Sequence, residues 1–293
     1  MPKCECPTAL EQAVINGFYA IDCQVHSIRS HDGRASILDQ CERAVQIGLD
    51  VIGFSEHKDF DPEDPVVDYF DYDAYMREIE QARRRYGDAV KIRAGVEIDY
   101  QAWFEDKIGD YLRAYPFDFV IGSVHYVGRE MIMTPEYNRT RDIHKAYRDY
   151  FDAVLDSVKS GLFDIVGHLE YANRRGIAAW GRYDPAPYRD QLDALFDAMI
   201  ARGVAFEINT AGLHQNLGVT YPCADTVSYY AQRGGSLLSI GSDAHHPDQL
   251  GHAYGTAAQM ALAAGMTEVC TWENRRMRVV PLRDGGPGTV HLN

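Results

Sequence analysis

Residues 117–125 read Phe117-Asp118-Phe119-Val120-Ile121-Gly122-Ser123-Val124-His125. Apart from Asp118, the first five are apolar and bulky or β-branched. That pattern predicts a strand buried on both faces, the mark of a parallel sheet covered by helices. Six further runs have the same character: Phe18–Val25, Leu49–Phe54, Val90–Ile98, Phe163–Gly167, Val204–Ile208 and Ser236–Ile240. Between them lie helical patterns. In Ala35–Gly48, Ile37, Cys41, Ala44 and Val45 fall at three- and four-residue spacings and make one apolar face. Tyr72–Tyr86, Asp142–Ser160, Ala186–Arg202, Cys223–Arg233 and His252–Ala264 read as further helices. Gly48, Gly161, Gly203 and Gly234 stand at or just after four helix ends, where a left-handed cap is expected.

About seven strands alternating with helices imply a parallel sheet, either an open doubly wound one or a closed barrel. The polar residues choose between them. They follow the last apolar residue of every strand, whereas an open sheet concentrates them at one switch point. The expectation is an α/β chain folded as a barrel, with its site at the C-terminal ends of the strands.

Taken in order, those ends read Asp22-Cys23-Gln24-Val25-His26 with His31-Asp32-Gly33, Ser55-Glu56-His57, Gly95-Val96-Glu97-Ile98-Asp99, Ser123-Val124-His125, Gly167-His168-Leu169-Glu170, Glu207-Ile208-Asn209, and Ser242-Asp243-Ala244-His245. A single strand-end His is ordinarily a hydrogen-bonded core residue. Five separate strand ends that each place a His call for a common cause, and converging imidazoles and carboxylates suit zinc, manganese or iron. Strand alternation turns Asp243 and His245 to the same side.

The 293 residues fit one barrel domain spanning 1–293, with motifs from about 22 to 255 and a motif-free extension over 266–293. A net charge of −14 argues against nucleic-acid and anionic-membrane partners. No apolar run approaches the roughly 18 residues of a membrane helix, and Met1–Leu10 lacks the pattern of a secretory signal. Six scattered cysteines, with no C-x-x-C pair, suggest reduced thiols and a cytoplasmic protein. Nothing in the sequence supports a particular oligomer.

The order of these motifs resembles the polymerase-and-histidinol-phosphatase (PHP) superfamily of metal-dependent phosphoesterases, and within it the monofunctional histidinol-phosphate phosphatases. That pattern runs D-x-H-x-H, T-D/E-H, G-x-E, S-x-H, G-H-x-D, E-x-N and S-D-A-H. The resemblance implies a distorted (β/α)7 barrel with two to three divalent ions, zinc, manganese or iron. Carried over by position, His26, Glu97 and Asp243 hold a first ion. His57, His245 and Asp32, with His31 in reserve, hold a second. Glu97, His125 and His168 hold a third, with Glu97 bridging. Glu97, Asp243 and His245 are then the central catalytic positions.

The implied reaction is hydrolysis of a phosphate monoester by a metal-bound hydroxide, with L-histidinol phosphate as the expected substrate in histidine biosynthesis. Arg29, Arg174 and Arg175 are candidate phosphate clamps. Glu207, Asn209 and His214 are candidate contacts to the rest of a small phosphorylated metabolite, and Tyr126 and Tyr171 could flank a ring. The acidic segment 59–71 reads as a loop over the mouth.

The chain departs from the pattern at three places. Gln24 stands at the first His of D-x-H-x-H; it is a candidate ligand through its amide oxygen, a poorer donor than imidazole, so weaker occupancy of the first position is expected. Glu170 replaces an Asp. His214 follows Gly212-Leu213, where a basic residue is common. The alternatives left open are a same-fold phosphoesterase for another monoester, a diester or a triester, an amidohydrolase-type barrel, and a non-catalytic relative.

Overall fold

In the computed structural model, which describes residues 17–283, each of the seven runs overlaps a strand of one parallel sheet. The strands are β1 (Ile21–Val25), β2 (Val51–Lys58), β3 (Lys91–Asp99) and β4 (Phe119–Ser123), then a small hairpin of β5 (Tyr126–Val127) and β6 (Glu130–Met131). They continue with β7 (Ile165–Val166), β8 (Ala205–Asn209) and β9 (Leu238–Gly241). The order β1-β2-β3-β4-β7-β8-β9 is sequential apart from the β5–β6 excursion. The ring closes at its upper rim only. There Val25 bridges Ala244 in parallel, and His26 N–H donates to the Ala244 carbonyl at 2.8 Å. This is a distorted (β/α)7 barrel, as expected.

The predicted helices form with small shifts at their ends, and local chemistry accounts for the borders. Ser36 and Asp39 make a reciprocal cap at the start of Ile37–Ile47, and Gly48 ends that helix at φ +79. Asp142 caps Ile143–Ser160, and Gly161 closes it at φ +72. Two helices of eight residues or more, Glu105–Ala114 and Asn173–Trp180, carry no element in the sequence reading. Both bury only a narrow face, so their apolar periodicity is weak.

The lower half of the barrel is packed with aromatic rings. A Cβ at Gly53 or Gly95 would stand 2.8 Å or 2.3 Å from the Phe119 ring, so these two glycines open a slot for it. Below, Trp272 packs against Phe119 at 6.3 Å between centroids. Trp272 belongs to an antiparallel hairpin of β10 (Glu268–Glu273) and β11 (Arg276–Pro281). The extension therefore has structure that the sequence reading did not assign. Its turn residues, Asn274 and Arg275, both have positive φ, +52 and +61. Such a tight turn is ordinarily signalled by glycine, which is absent here. Asp118 explains its polar place in an apolar strand: it accepts from the N–H groups of Ala94 and Asn274 and from Arg83. It ties the barrel floor to this hairpin.

Cys23, Cys41, Cys223 and Cys270 are free; Cys4, Cys6 and His291 lie outside the described residues. No helix among the described residues is long and apolar enough to cross a membrane.

Candidate metal centre

Three inward-facing strand residues set the centre of the mouth: His26 after β1, His57 on β2 and Glu97 on β3. His57 and Glu97 are paired in the β2–β3 register. Glu97 is buried and presents its two carboxylate oxygens in different directions. Oε2 lies 3.1 Å from His57 Nδ1 and 3.4 Å from His26 Nε2. Oε1 lies 2.9 Å from His168 Nε2 and accepts from Ser123 Oγ at 2.5 Å. Two groups of donor atoms result, each gathered within 4.8 Å: His26, His57 and His245, and Glu97, His125 and His168. Asp32 borders the first group, with Oδ2 3.1 Å from His245 Nε2 and 3.6 Å from His57 Nε2. Asp243 borders it too, with Oδ1 3.2 Å from His26 Nε2.

Hydrogen bonding fixes which ring nitrogen carries the proton. Ser30 Oγ donates to Glu56 at 2.6 Å, because a carboxylate can only accept. It therefore accepts from His57 N–H at 3.0 Å and from His26 Nδ1 at 3.2 Å. His26 thus keeps its proton on Nδ1 and turns the lone pair of Nε2 toward Asp243 and Glu97. His245 Nδ1 donates to the Asp243 carbonyl at 2.8 Å, and its Nε2 faces Asp32 at 3.1 Å. The His26 lone pair and the carboxylates it meets repel one another unless a cation lies between them. His26 Nε2 and Glu97 Oε2 are both buried without a hydrogen-bond partner. A borderline divalent cation matches this donor set, and the rings are oriented for it by their other nitrogens.

The electrostatics agree. Burial opposes ionisation of Glu97, but His57 and His168 outweigh it and hold its carboxyl well below the usual range. Burial likewise opposes ionisation of Asp243, yet His26 and His245 bring it down to about 2. Burial, with His168 alongside, pushes His125 down to about 3, so its ring is neutral and able to ligate. The backbone is strained at this rim, at His168 (φ +23) and Asp243 (φ +56).

The site opens into a cavity of about 360 Å³ whose wall includes Arg34, Arg174, His214 and Gln249. Arg174 lies over the Tyr171 ring, 5.4 Å from its centroid, and donates to its hydroxyl; Tyr171 in turn stacks on His168. A second cavity, of about 440 Å³, adjoins the first through Asp32, His57, His125 and Tyr171. Its remaining wall is His31, Asp59, Asp64, Pro65, Val66, Tyr126, Met131 and Met133.

The other candidates fall elsewhere. Arg29 leaves the mouth and pairs with Glu78. Arg175 is exposed and lines neither cavity. Glu207 and Asn209 are buried beneath the site. Glu207 accepts from His168 N–H at 2.6 Å, and burial, only partly offset by His168, raises its carboxyl to about 8. It supports the His168 backbone and does not reach the cavity. His214 does reach it, with Nε2 donating to the Ser242 carbonyl at 3.0 Å. Glu170 turns away, accepting from Cys223 N–H and Thr226. Sequence reasoning missed Ser30 and Arg34; it placed the acidic segment 59–71 over the mouth without singling out Asp59 and Asp64, which line the second cavity. Ser30 and Arg34 sit beside His31 and Asp32, and that proximity was the available signal.

A parallel barrel with buried imidazoles and carboxylates aimed at shared points defines a metal-dependent hydrolase. The PHP domain family matches residues 22–211, and the chain belongs to that family. It is similar to the histidinol-phosphatase of Lactococcus lactis subsp. lactis strain IL1403, 28% identical over 260 residues, covering 88% of this chain and 96% of that one. A histidinol-phosphatase from Bacillus subtilis strain 168 is 25% identical over 248 residues, covering 76% and 92% of the two chains. Among solved structures, histidinol phosphate phosphatase from Lactococcus lactis, complexed with zinc, L-histidinol and phosphate, aligns at 27% identity with a TM-score of 0.82. That match covers 89% of this chain and 99% of the other.

Proposed function

We propose that the chain is a metal-dependent phosphatase that hydrolyses L-histidinol phosphate to L-histidinol and phosphate. The observation that carries this reading is Glu97, whose two oxygens serve two separate groups of imidazoles at the mouth of a cavity also walled by arginine. The zinc, L-histidinol and phosphate of the Lactococcus structure support the same substrate here.

His26, His57, His245, Asp32 and Asp243 would hold divalent metal on one side of Glu97, and His125 and His168 on the other. His31, 4.0 Å from Asp32, lines the second cavity and is not needed as a ligand. Zinc, manganese and iron all suit the set. Metal bound there supplies Lewis acidity to a phosphoryl group and makes water a nucleophile near neutral pH.

The chain's own residues then do the positioning. Arg174, braced by Tyr171, and Arg34 bind phosphoryl oxygens from the open side of the cavity. His214 cannot serve as a cationic clamp, because burial lowers its pKa and keeps the ring neutral. The second cavity suits the alcohol half of the substrate. Asp59 and Asp64 make no ion pair among the described residues, and they offer negative charge to an ammonium. Met131, Met133 and Tyr126 offer apolar wall to a ring.

The test is phosphate release from L-histidinol phosphate by metal-loaded protein, beside glycerol phosphate and a nucleoside monophosphate. Turnover of roughly 1 per second or more, with preference for L-histidinol phosphate, is expected. Metal-loaded protein that releases none overturns the substrate and leaves a phosphoesterase with another one.

A further inference from the structure

Gln24 is fully buried on the inner face of β1, two residues before His26. Its amide orientation is dictated from below. Asn209 Oδ1 accepts from Ala211 N–H at 2.9 Å, so the Asn209 amide group must present its NH2 on the other side. That NH2 donates to Gln24 Oε1 at 2.6 Å. Gln24 is thereby held with its oxygen toward Asn209. Its remaining atom, Nε2, is buried without a hydrogen-bond partner. An amide NH2 has no lone pair to give a metal ion.

The same local arrangement appears in the side chains above. His26 Nε2 faces Asp243 and Glu97 at 3.2 Å and 3.4 Å, and the same nitrogen is shared with two neighbouring imidazoles. Its ring is stacked on His57 and on His245, at 4.3 Å and 4.4 Å, and its donor atom gathers with theirs. Among the described residues the imidazoles gather in two groups, and Glu97, a member of one, reaches the other through Oε2 at 3.1 Å from His57 and 3.4 Å from His26.

We infer that this chain binds two divalent ions and that Gln24 removes the position for a third. The amide is pinned by Asn209 as structural filling of the barrel, and His26 serves the ion shared with His57 and His245. This inference rests on the metal-centre reading above and is independent of which phosphate ester is the substrate.

The experiment counts metal. Full-length protein is equilibrated with micromolar Zn2+, dialysed against metal-free buffer and analysed by inductively coupled plasma mass spectrometry. Three variants accompany it. Gln24→Glu keeps the size and the acceptor for Asn209 but puts an anionic oxygen where Nε2 stands. Gln24→His supplies an imidazole. Gln24→Leu removes both polar atoms. The expected result is two ions per chain in the wild type and in Gln24→Leu, and three in Gln24→Glu or Gln24→His. Circular dichroism confirms folding of each variant, and Gln24→Glu, nearly isosteric, keeps the test open if the imidazole does not fit. A wild-type count other than two, or no gain in any folded variant, overturns the inference. A wild type that retains no metal overturns the metal-centre reading with it. Phosphate release from L-histidinol phosphate, measured separately, decides the substrate without affecting this count.

Discussion

Ser30 Oγ stands 3.2 Å from His26 Nδ1, and because its own proton goes to Glu56 it can only accept from that ring. A serine that touches no cavity thus sets the tautomer of the deepest imidazole in the site. Ser30→Ala should lower metal affinity by about 10- to 100-fold, the range for loss of a partner behind a ligand. Competition with a chromophoric chelator measures it. Unchanged affinity in folded protein would show that His26 finds its tautomer without help.

Glu97→Gln should be more severe. One oxygen of the bridge becomes an NH2, which faces either His57 and His26 or His168. We expect loss of at least one bound ion per chain and a fall of about 10²- to 10³-fold in phosphate release. Metal analysis and steady-state kinetics on the same preparation test both.

The second cavity should govern selectivity. Asp59→Asn and Asp64→Asn should each reduce kcat/KM for L-histidinol phosphate relative to glycerol phosphate, by about tenfold if a charged hydrogen bond is lost. Met131→Arg, on the exposed wall of the cavity, should move the ratio the same way. An unchanged ratio in all three would remove these acids from substrate recognition.

Glu170 should make stability fall with rising pH. Burial, opposed by Thr226 and Cys223, raises its carboxyl from 4.5 to about 8. A carboxyl whose folded pKa is raised stabilises fully below its unfolded pKa, and that contribution disappears as pH climbs through the folded value. The loss therefore runs from about pH 4.5 to about pH 8. Glu170→Gln should keep the neutral form at all pH, matching wild-type Tm near pH 5 and exceeding it at pH 9. Parallel Tm curves for the two proteins would contradict the assignment.

The Phe119 slot should resist even one methyl group. Gly95→Ala places a carbon 2.3 Å from the ring and should cost about 1–3 kcal/mol, read by chemical denaturation.

The sequence by itself determined the barrel and which strand-end residues gather at its mouth. Seven strands each end in a residue such as His57, Glu97 or His125, and strand alternation alone decides that these point inward. Period and position are local properties, readable within ten residues. Only the tertiary structure decided where longer side chains go and what lies behind the imidazoles of the mouth. Arg29, three residues past His26, is taken by Glu78 on a neighbouring helix, whereas Arg34 reaches the cavity. Gln24 is turned by Asn209, 185 residues away. The acids of the second cavity meet Met131 and Met133 from a different loop, and Trp272 finds Phe119 beneath the barrel. Such contacts depend on how separate elements pack together, and flexible side chains choose among partners that only the folded chain brings within reach.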